Sequence, residues 1–157
     1  MKKIALFIVA LAMSLTANAQ FEKGKKYIEA SLSSLDLSSQ AKHFHFGINA
    51  RGGYLFADNL MGLAEVGYDH TEDSSDTFNF GALGRYYITQ NGLYLGAGLK
   101  FKHRGGGDND LMPNVHVGYA FFLSRTITLE PELYMDFSTK DFAKSSYGLG
   151  VGFGIYL

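Results

Sequence analysis

From Gly24 onward the chain alternates apolar with polar or glycine positions at a period of two, and no stretch keeps an apolar stripe at helical spacing for long. Phe44, Phe46, Ile48, Ala50, Gly52, Tyr54 and Phe56 share one face of a strand whose other face carries His43, His45, Gly47, Asn49, Arg51, Gly53 and Leu55. Leu93, Leu95, Ala97, Leu99 and Phe101 oppose Tyr94, Gly96, Gly98, Lys100 and Lys102 in the same way. Further on, Tyr147, Leu149, Val151, Phe153, Ile155 and Leu157 alternate with Gly148, Gly150, Gly152, Gly154 and Tyr156. A helix with this spacing would scatter its apolar residues around the whole circumference, so the pattern predicts strands.

Carried along the chain, the alternation predicts eight strands at roughly 25–33, 43–56, 60–69, 77–88, 93–103, 112–122, 126–137 and 146–157. Their connections alternate in length. Ala57-Asp58-Asn59, Thr89-Gln90-Asn91-Gly92 and Leu123-Ser124-Arg125 have the chemistry of tight turns. Those around 34–42, 70–76, 104–111 and 138–145 are longer and rich in Ser, Asp, Gly and Lys. An even strand number with short turns at one end and longer loops at the other predicts an all-β fold, an eight-stranded antiparallel transmembrane β-barrel with both termini on the periplasmic side.

The start of the chain has a different character. Lys2 and Lys3 precede an apolar run from Ile4 to Leu15, and Ala17-Asn18-Ala19 supplies the small-x-small pattern of a signal-peptidase site. The run is short for a permanent membrane helix. Residues 1–19 are therefore expected to be a signal peptide cleaved after Ala19, and 20–157 the barrel domain of an exported outer-membrane protein; Gln20, not a cysteine, excludes a lipoprotein. Without Lys2 and Lys3 the balance is 12 basic against 15 acidic groups, which argues against nucleic acid as a partner. The absence of cysteine leaves packing and backbone hydrogen bonds to hold the exported fold together.

Alternation alone does not say whether the apolar face looks into a core or out to lipid, and a soluble barrel of lipocalin type is the rival. The second face decides between them. In water it should carry Lys, Glu, Ser and Thr, yet it holds four glycines in the last strand and two in the fifth. Inside a narrow barrel those glycines leave room for Arg, Glu and Tyr from the opposite wall. Aromatic residues also mark two edges of the apolar band. Tyr54, Phe56, Tyr86 and Phe121 fall near the short turns, and Phe44, Tyr68, Phe78, Phe101, Phe137 and Tyr147 near the long loops, as the two aromatic girdles of a membrane barrel would. With lipid outside, every backbone group must pair within the sheet, so the first strand is expected to meet the last. Pro131 cannot donate to such a ladder, and either a local bulge or a carbonyl satisfied by other means is expected there.

The polar face would then line the lumen and bring Glu29, Arg51, Glu65, Arg85, Lys100, His116, Glu130 and Glu132 to similar depths, with Arg51, Glu65 and Arg85 pairing across consecutive strands. Mixed signs at one level suit charges withdrawn from water. The arrangement reads either as a proton or ion relay or as a salt-bridged plug. Eight strands leave an interior only wide enough for side chains, which favours the plug.

The signal segment, the alternating strands, the Leu129-Glu130-Pro131-Glu132-Leu133 stretch, the Asp58-Asn59 turn and the terminal Ile155-Tyr156-Leu157 resemble the small outer-membrane β-barrel domain family of OmpA and OmpX type. The resemblance covers the whole chain after residue 19, and its motifs are weak. It implies an integral barrel in outer-membrane lipid and lipopolysaccharide, inserted by the barrel assembly machinery. In that family the last strand is an assembly signal that usually ends in Phe; here Leu157 stands in its place. The peptidoglycan-binding domain of larger relatives is not expected after Leu157. Family members include anchors, adhesins and resistance factors.

Candidate chemistry is sparse. A lipid A-modifying enzyme would set Ser, His and an acidic residue together at the outer end of the strands. His103 is the histidine expected on the outer face there, with Asp76 or Phe78 on one side and Leu111 or Pro113 on the other, and no serine falls beside it. Asp69, His70, Glu72, Asp73 and Asp76, with Asp108 and Asp110, offer oxygen ligands for calcium but no recognised ligand spacing. Gly105-Gly106-Gly107 lacks a calcium-array repeat, and no glycine-rich loop opens a helix as phosphate binding requires. The expectation is a non-enzymatic protein without cofactor or metal, with a structural, envelope or surface-binding role through its loops; a narrow ion or small-solute channel is the alternative, and the enzyme a remote one.

Overall fold

The computed structural model describes residues 21–36, 45–71, 74–88, 92–105, 107, 109–140 and 145–157. The alternating segments form β1 (Lys26–Asp36), β2 (His45–Ala57), β3 (Leu60–Thr71), β4 (Ser74–Tyr87), β5 (Leu93–Arg104), β6 (Asn109–Tyr119), the two-residue β7 (Phe121–Phe122), β8 (Ile127–Asp136) and β9 (Ser146–Tyr156). One antiparallel sheet runs in the order β6-β5-β4-β3-β2-β1-β9-β8-β7, and β6 also pairs with β8, which closes it. β6 and β7 are two pieces of one stave, so the barrel has eight. Its seam joins β1 to β9, with Tyr27 opposite Tyr156 and Leu32 opposite Val151, and closure removes the unpaired edges an open sheet would expose.

The structure corrects the predicted strands in two places. The sixth, expected to be continuous over 112–122, breaks at Ala120. Both pieces keep one register against β8, with Gly118 opposite Glu132 and Phe121 opposite Leu129, and this register sets Tyr119, the last residue before the break, opposite Pro131. Proline brings no N–H to the ladder. No bulge forms: β8 continues in unbroken register along β9, with Pro131 opposite Val151, and on the β5 side the ladder also runs on, the Ala120 N–H donating to the Gly92 carbonyl at 2.8 Å one step beyond the Leu93–Tyr119 pair. The second correction concerns the loops. β3 runs on to Thr71 and β4 starts at Ser74, with Thr71 opposite Ser74 across a register shift, where 70–76 was expected to be loop. β6 likewise starts at Asn109 instead of near 112. Composition misplaced these ends because strands that project beyond the apolar band need no apolar face.

Side chains alternate as the pleat requires. Leu99 is 51 % exposed on the outer wall and the adjacent Lys100 6 % exposed on the inner one. Ile28, Val66, Phe80, Leu95, Leu133 and Phe153 continue the outer apolar band. Tyr54, Phe56 and Tyr86 stand exposed at its short-turn end, and Tyr68, Phe78 and Tyr147 at the other. Phe101 and Phe121 are half-buried against Phe80 and Tyr119, at ring-centroid distances of 5.1 and 4.4 Å, and Phe137 is half-buried as well. Phe44 and the segment 1–19 lie outside the described residues.

The inner glycines are sites of close approach, but the groups that fill their space come from the neighbouring strands and not, as expected, from the opposite wall. The His116 ring occupies the space where a Cβ on Gly96 would lie, and the Tyr94 phenol does the same at Gly118, with the Pro131 carbonyl oxygen 2.8 Å from that position. Tyr94 can give way but the backbone carbonyl cannot. Gly118→Ala is therefore expected to destabilise the barrel by about 1–3 kcal/mol. Gly52→Ala, on the outer face with nothing within 4 Å, should leave the urea-unfolding midpoint in lipid vesicles nearly unchanged.

Candidate functional site

The lumen begins at a floor. Phe21, ahead of β1, turns into the mouth between the short turns and stacks on Tyr87 at 3.9 Å, with Phe122 and Tyr156 edge-on at 5.6 Å. Backbone bonds fix it there. The Asn59 N–H donates to the Phe21 carbonyl and the Tyr87 N–H to the Asn59 carbonyl, each at 2.8 Å, and the Lys23 N–H donates to Asp58 Oδ1 at 2.9 Å. Asn59 holds a φ of 62°, the left-handed conformation that asparagine adopts more readily than most side chains. Leu55, Met61, Leu63 and Leu83 complete the buried apolar layer.

Above the floor the charged side chains form one connected network. Arg85 Nη1 donates to Glu130 Oε2 at 2.8 Å and to the Tyr27 hydroxyl at 3.1 Å, and its Nη2 reaches Glu29 and Glu132 at 3.3 and 3.5 Å. Its guanidinium lies 4.0 Å from the Tyr94 ring centroid, a cation–π contact. Arg51 meets Glu132 through both terminal nitrogens, at 3.0 and 2.9 Å, Glu65 through Nε at 2.5 Å, and Glu29 at 3.2 Å. Lys100 lies 3.0 Å from Glu65 and 3.5 Å from Asp136, and Lys102 3.3 Å from Asp136. Charge alternates in sign along this column. Each ion removed from water is met by opposite charge and by hydrogen bonds, the condition under which buried ions are tolerated.

The structure places all eight lumen residues singled out from the sequence, Glu29, Arg51, Glu65, Arg85, Lys100, His116, Glu130 and Glu132, among its buried groups. Their pairing differs from expectation at one point. Arg51 does face Glu65 across β2 and β3, but Arg85 stands opposite Met61 in register, and its partners come from β1 and β8 across the lumen. His116 joins no ion pair; it sits edge-on to Tyr94 at 6.1 Å. Sequence reasoning passed over Asp136, Tyr27 and Tyr87, and although it set Tyr94, Lys102 and Tyr156 on the inner face it gave them no part in the charge network. Parity carried the signal for Asp136, which shares a face with Glu130 and Glu132.

At the loop end, Asp110 accepts from the Ser138 and Thr139 hydroxyls at 2.5 and 3.2 Å, and Asp69 accepts from Asn79 at 3.2 Å. His70 and Asp76 meet on the outside at 2.8 Å. The His70 ring and the Tyr68 hydroxyl hold the Asp76 carboxyl below the usual carboxylate range. Glu72, Asp73 and Asp108 lie outside the described residues, and among those described no cluster of three metal-ligating side chains occurs. His103 is exposed, opposite Phe78 on one side and, as a correction, Asn109 instead of Leu111 or Pro113 on the other. Its Nδ1 lies 2.5 Å from Asn109 Oδ1.

Comparison with known proteins agrees with this architecture. Residues 5–157 match the family described as outer membrane protein beta-barrel domain. No curated protein matches the chain. Among solved structures, the N-terminal β-barrel domain of Pseudomonas aeruginosa OprF is similar at 17% identity and a TM-score of 0.66, over 86% of this chain and 98% of that one. Neisserial surface protein A is similar at 17% identity and a TM-score of 0.63, over 83% and 95%. OprG of Pseudomonas aeruginosa follows at 12% identity and 0.57, over 87% and 97%. At these identities the likeness is one of fold.

Proposed function

Because the chain belongs to the outer-membrane protein β-barrel domain family, we propose that it serves there as a closed, non-enzymatic barrel, exported by a signal peptide cut after Ala19, with a structural role in the envelope or a binding role carried by its loops. The observation that carries this reading is the ion-paired column from Arg85 to Lys102 above the Phe21 floor. Its charged groups are engaged with one another, and an eight-stranded wall leaves no width for an aqueous path beside them. The non-enzymatic reading rests on the same economy: the buried carboxylates are bound by cations, and His103 faces an asparagine. The barrel would be embedded in lipid and lipopolysaccharide, with the barrel assembly machinery as its partner during insertion. A surface partner would meet the four longer connections.

Purified protein in planar bilayers or liposomes is expected to pass no steady ion current. Glu65→Gln and Arg85→Met should lower the unfolding midpoint without creating one. A clear current through the wild-type protein would instead support a narrow channel. Deletion of each loop, followed by envelope-stress and adhesion assays, separates surface binding from passive structure.

A further inference from the structure

We infer that the lumen holds a permanently bound proton, shared by Glu29 and Glu130 through the Tyr27 hydroxyl. The first ground is charge. Among the described residues the connected network contains five carboxylates, Glu29, Glu65, Glu130, Glu132 and Asp136, against four cations, Arg51, Arg85, Lys100 and Lys102. One negative charge is left over where an uncompensated ion costs several kcal/mol.

The second ground is the supply of hydrogens. The Tyr27 oxygen lies 2.7 Å from Glu29 Oε2 and 2.7 Å from Glu130 Oε2, and it also accepts from Arg85 Nη1 at 3.1 Å. A phenol has one hydrogen to donate. With both carboxyls ionised, one of the two short contacts would bring oxygen lone pairs together with nothing between them. A second hydrogen completes the chain: one carboxyl donates to the Tyr27 oxygen, and the Tyr27 hydroxyl donates to the other carboxylate. Reversing both bonds moves the proton from one glutamate to the other without any heavy atom moving.

The remaining groups around the site are poor alternatives for that proton. Glu132 accepts from two nitrogens of Arg51, from Arg85 and from the Tyr94 hydroxyl. Glu65 lies between Arg51 and Lys100, and Asp136 between Lys100, Lys102 and Asn114. His116 could supply a fifth cation only by burying two N–H donors, and neither ring nitrogen has a hydrogen-bond partner. Thr128 donates to Glu130 Oε1 at 2.6 Å, Tyr156 donates to the same oxygen at 3.2 Å, and Tyr87 shares a 2.7 Å bond with Tyr156. These hydroxyls supply hydrogen bonds and no net charge.

Infrared spectroscopy of the folded protein in lipid vesicles at neutral pH tests this. The wild type should show the carbonyl stretch of a buried, protonated carboxylic acid, and the band should disappear in both Glu29→Gln and Glu130→Gln, where a neutral amide replaces the shared acid. Either single variant should move the urea midpoint far less than Glu132→Gln, and the double variant should move it more than the two singles combined. Absence of the band from the wild type overturns the proposal even if no variant folds. Its persistence in either single variant, or a wild-type midpoint that rises when sodium replaces choline, does the same, the last by pointing to a bound metal cation.

Discussion

Arg51→Met is expected to destabilise the barrel by about 3–5 kcal/mol, read as a lowered urea midpoint in lipid vesicles. Methionine fills similar space, so packing loss is small and the effect isolates the charge. Arg51 is the partner of Glu29, Glu65 and Glu132 together, and its removal leaves three carboxylates in the lumen with Arg85 and Lys100 alone to balance them. Arg51→Lys restores the charge but not the two-pronged contact with Glu132, and its stability should fall between wild type and Arg51→Met. A loss under 1 kcal/mol in Arg51→Met would mean that water reaches these carboxylates and that the lumen is wetter than its geometry implies.

Leu99→Arg should cost about 2–4 kcal/mol in a bilayer, because position 99 faces the hydrocarbon in the middle of β5. The neighbouring position makes the sharper comparison. At Lys100, a single residue along the same strand, it is removing a charge that harms, since Glu65 and Asp136 lose a cation they share. Adjacent residues with opposite preferences are what a wall with lipid on one side and paired ions on the other demands. A soluble barrel with a watery exterior would accept arginine at 99 with little loss, so folding yield in vesicles distinguishes the two environments directly.

How much of this was legible in the sequence depends on whether a feature is local. The faces were, because period two is written into every strand: Leu99 and Lys100, or Phe153 and Gly154, differ in kind, and the backbone turns that difference into outside and inside. Eight of the buried charged or histidine side chains of the lumen followed from parity alone, though Asp136, on the same face as Glu130 and Glu132, was passed over. The partners did not. Arg51 and Glu132 are 81 residues apart and Arg85 and Glu130 are 45 apart, and these contacts exist only once the seam closes and the stagger between staves is set. Arg85 was expected beside Glu65 because equal counting from neighbouring turns ignores that stagger, which places it opposite Met61. The interior tyrosines were half legible: parity sets Tyr94 and Tyr156 on the glycine-rich face, but that their hydroxyls bind the lumen carboxylates depends on partners from other strands. The break at Ala120 has its cause in Pro131, eleven residues downstream, and shows only when both are laid side by side.

The seam has a consequence for how such a protein must travel. Because Tyr27 lies opposite Tyr156, the first strand has no second neighbour until the last one arrives. Any shorter length is a curled ribbon with two raw margins, an oily back, and charges whose counterparts have not yet been delivered. Ribbons of that kind adhere to one another. The polypeptide therefore cannot close until its last strand is in place, and for as long as it travels before that its margins have to be kept from those of its copies.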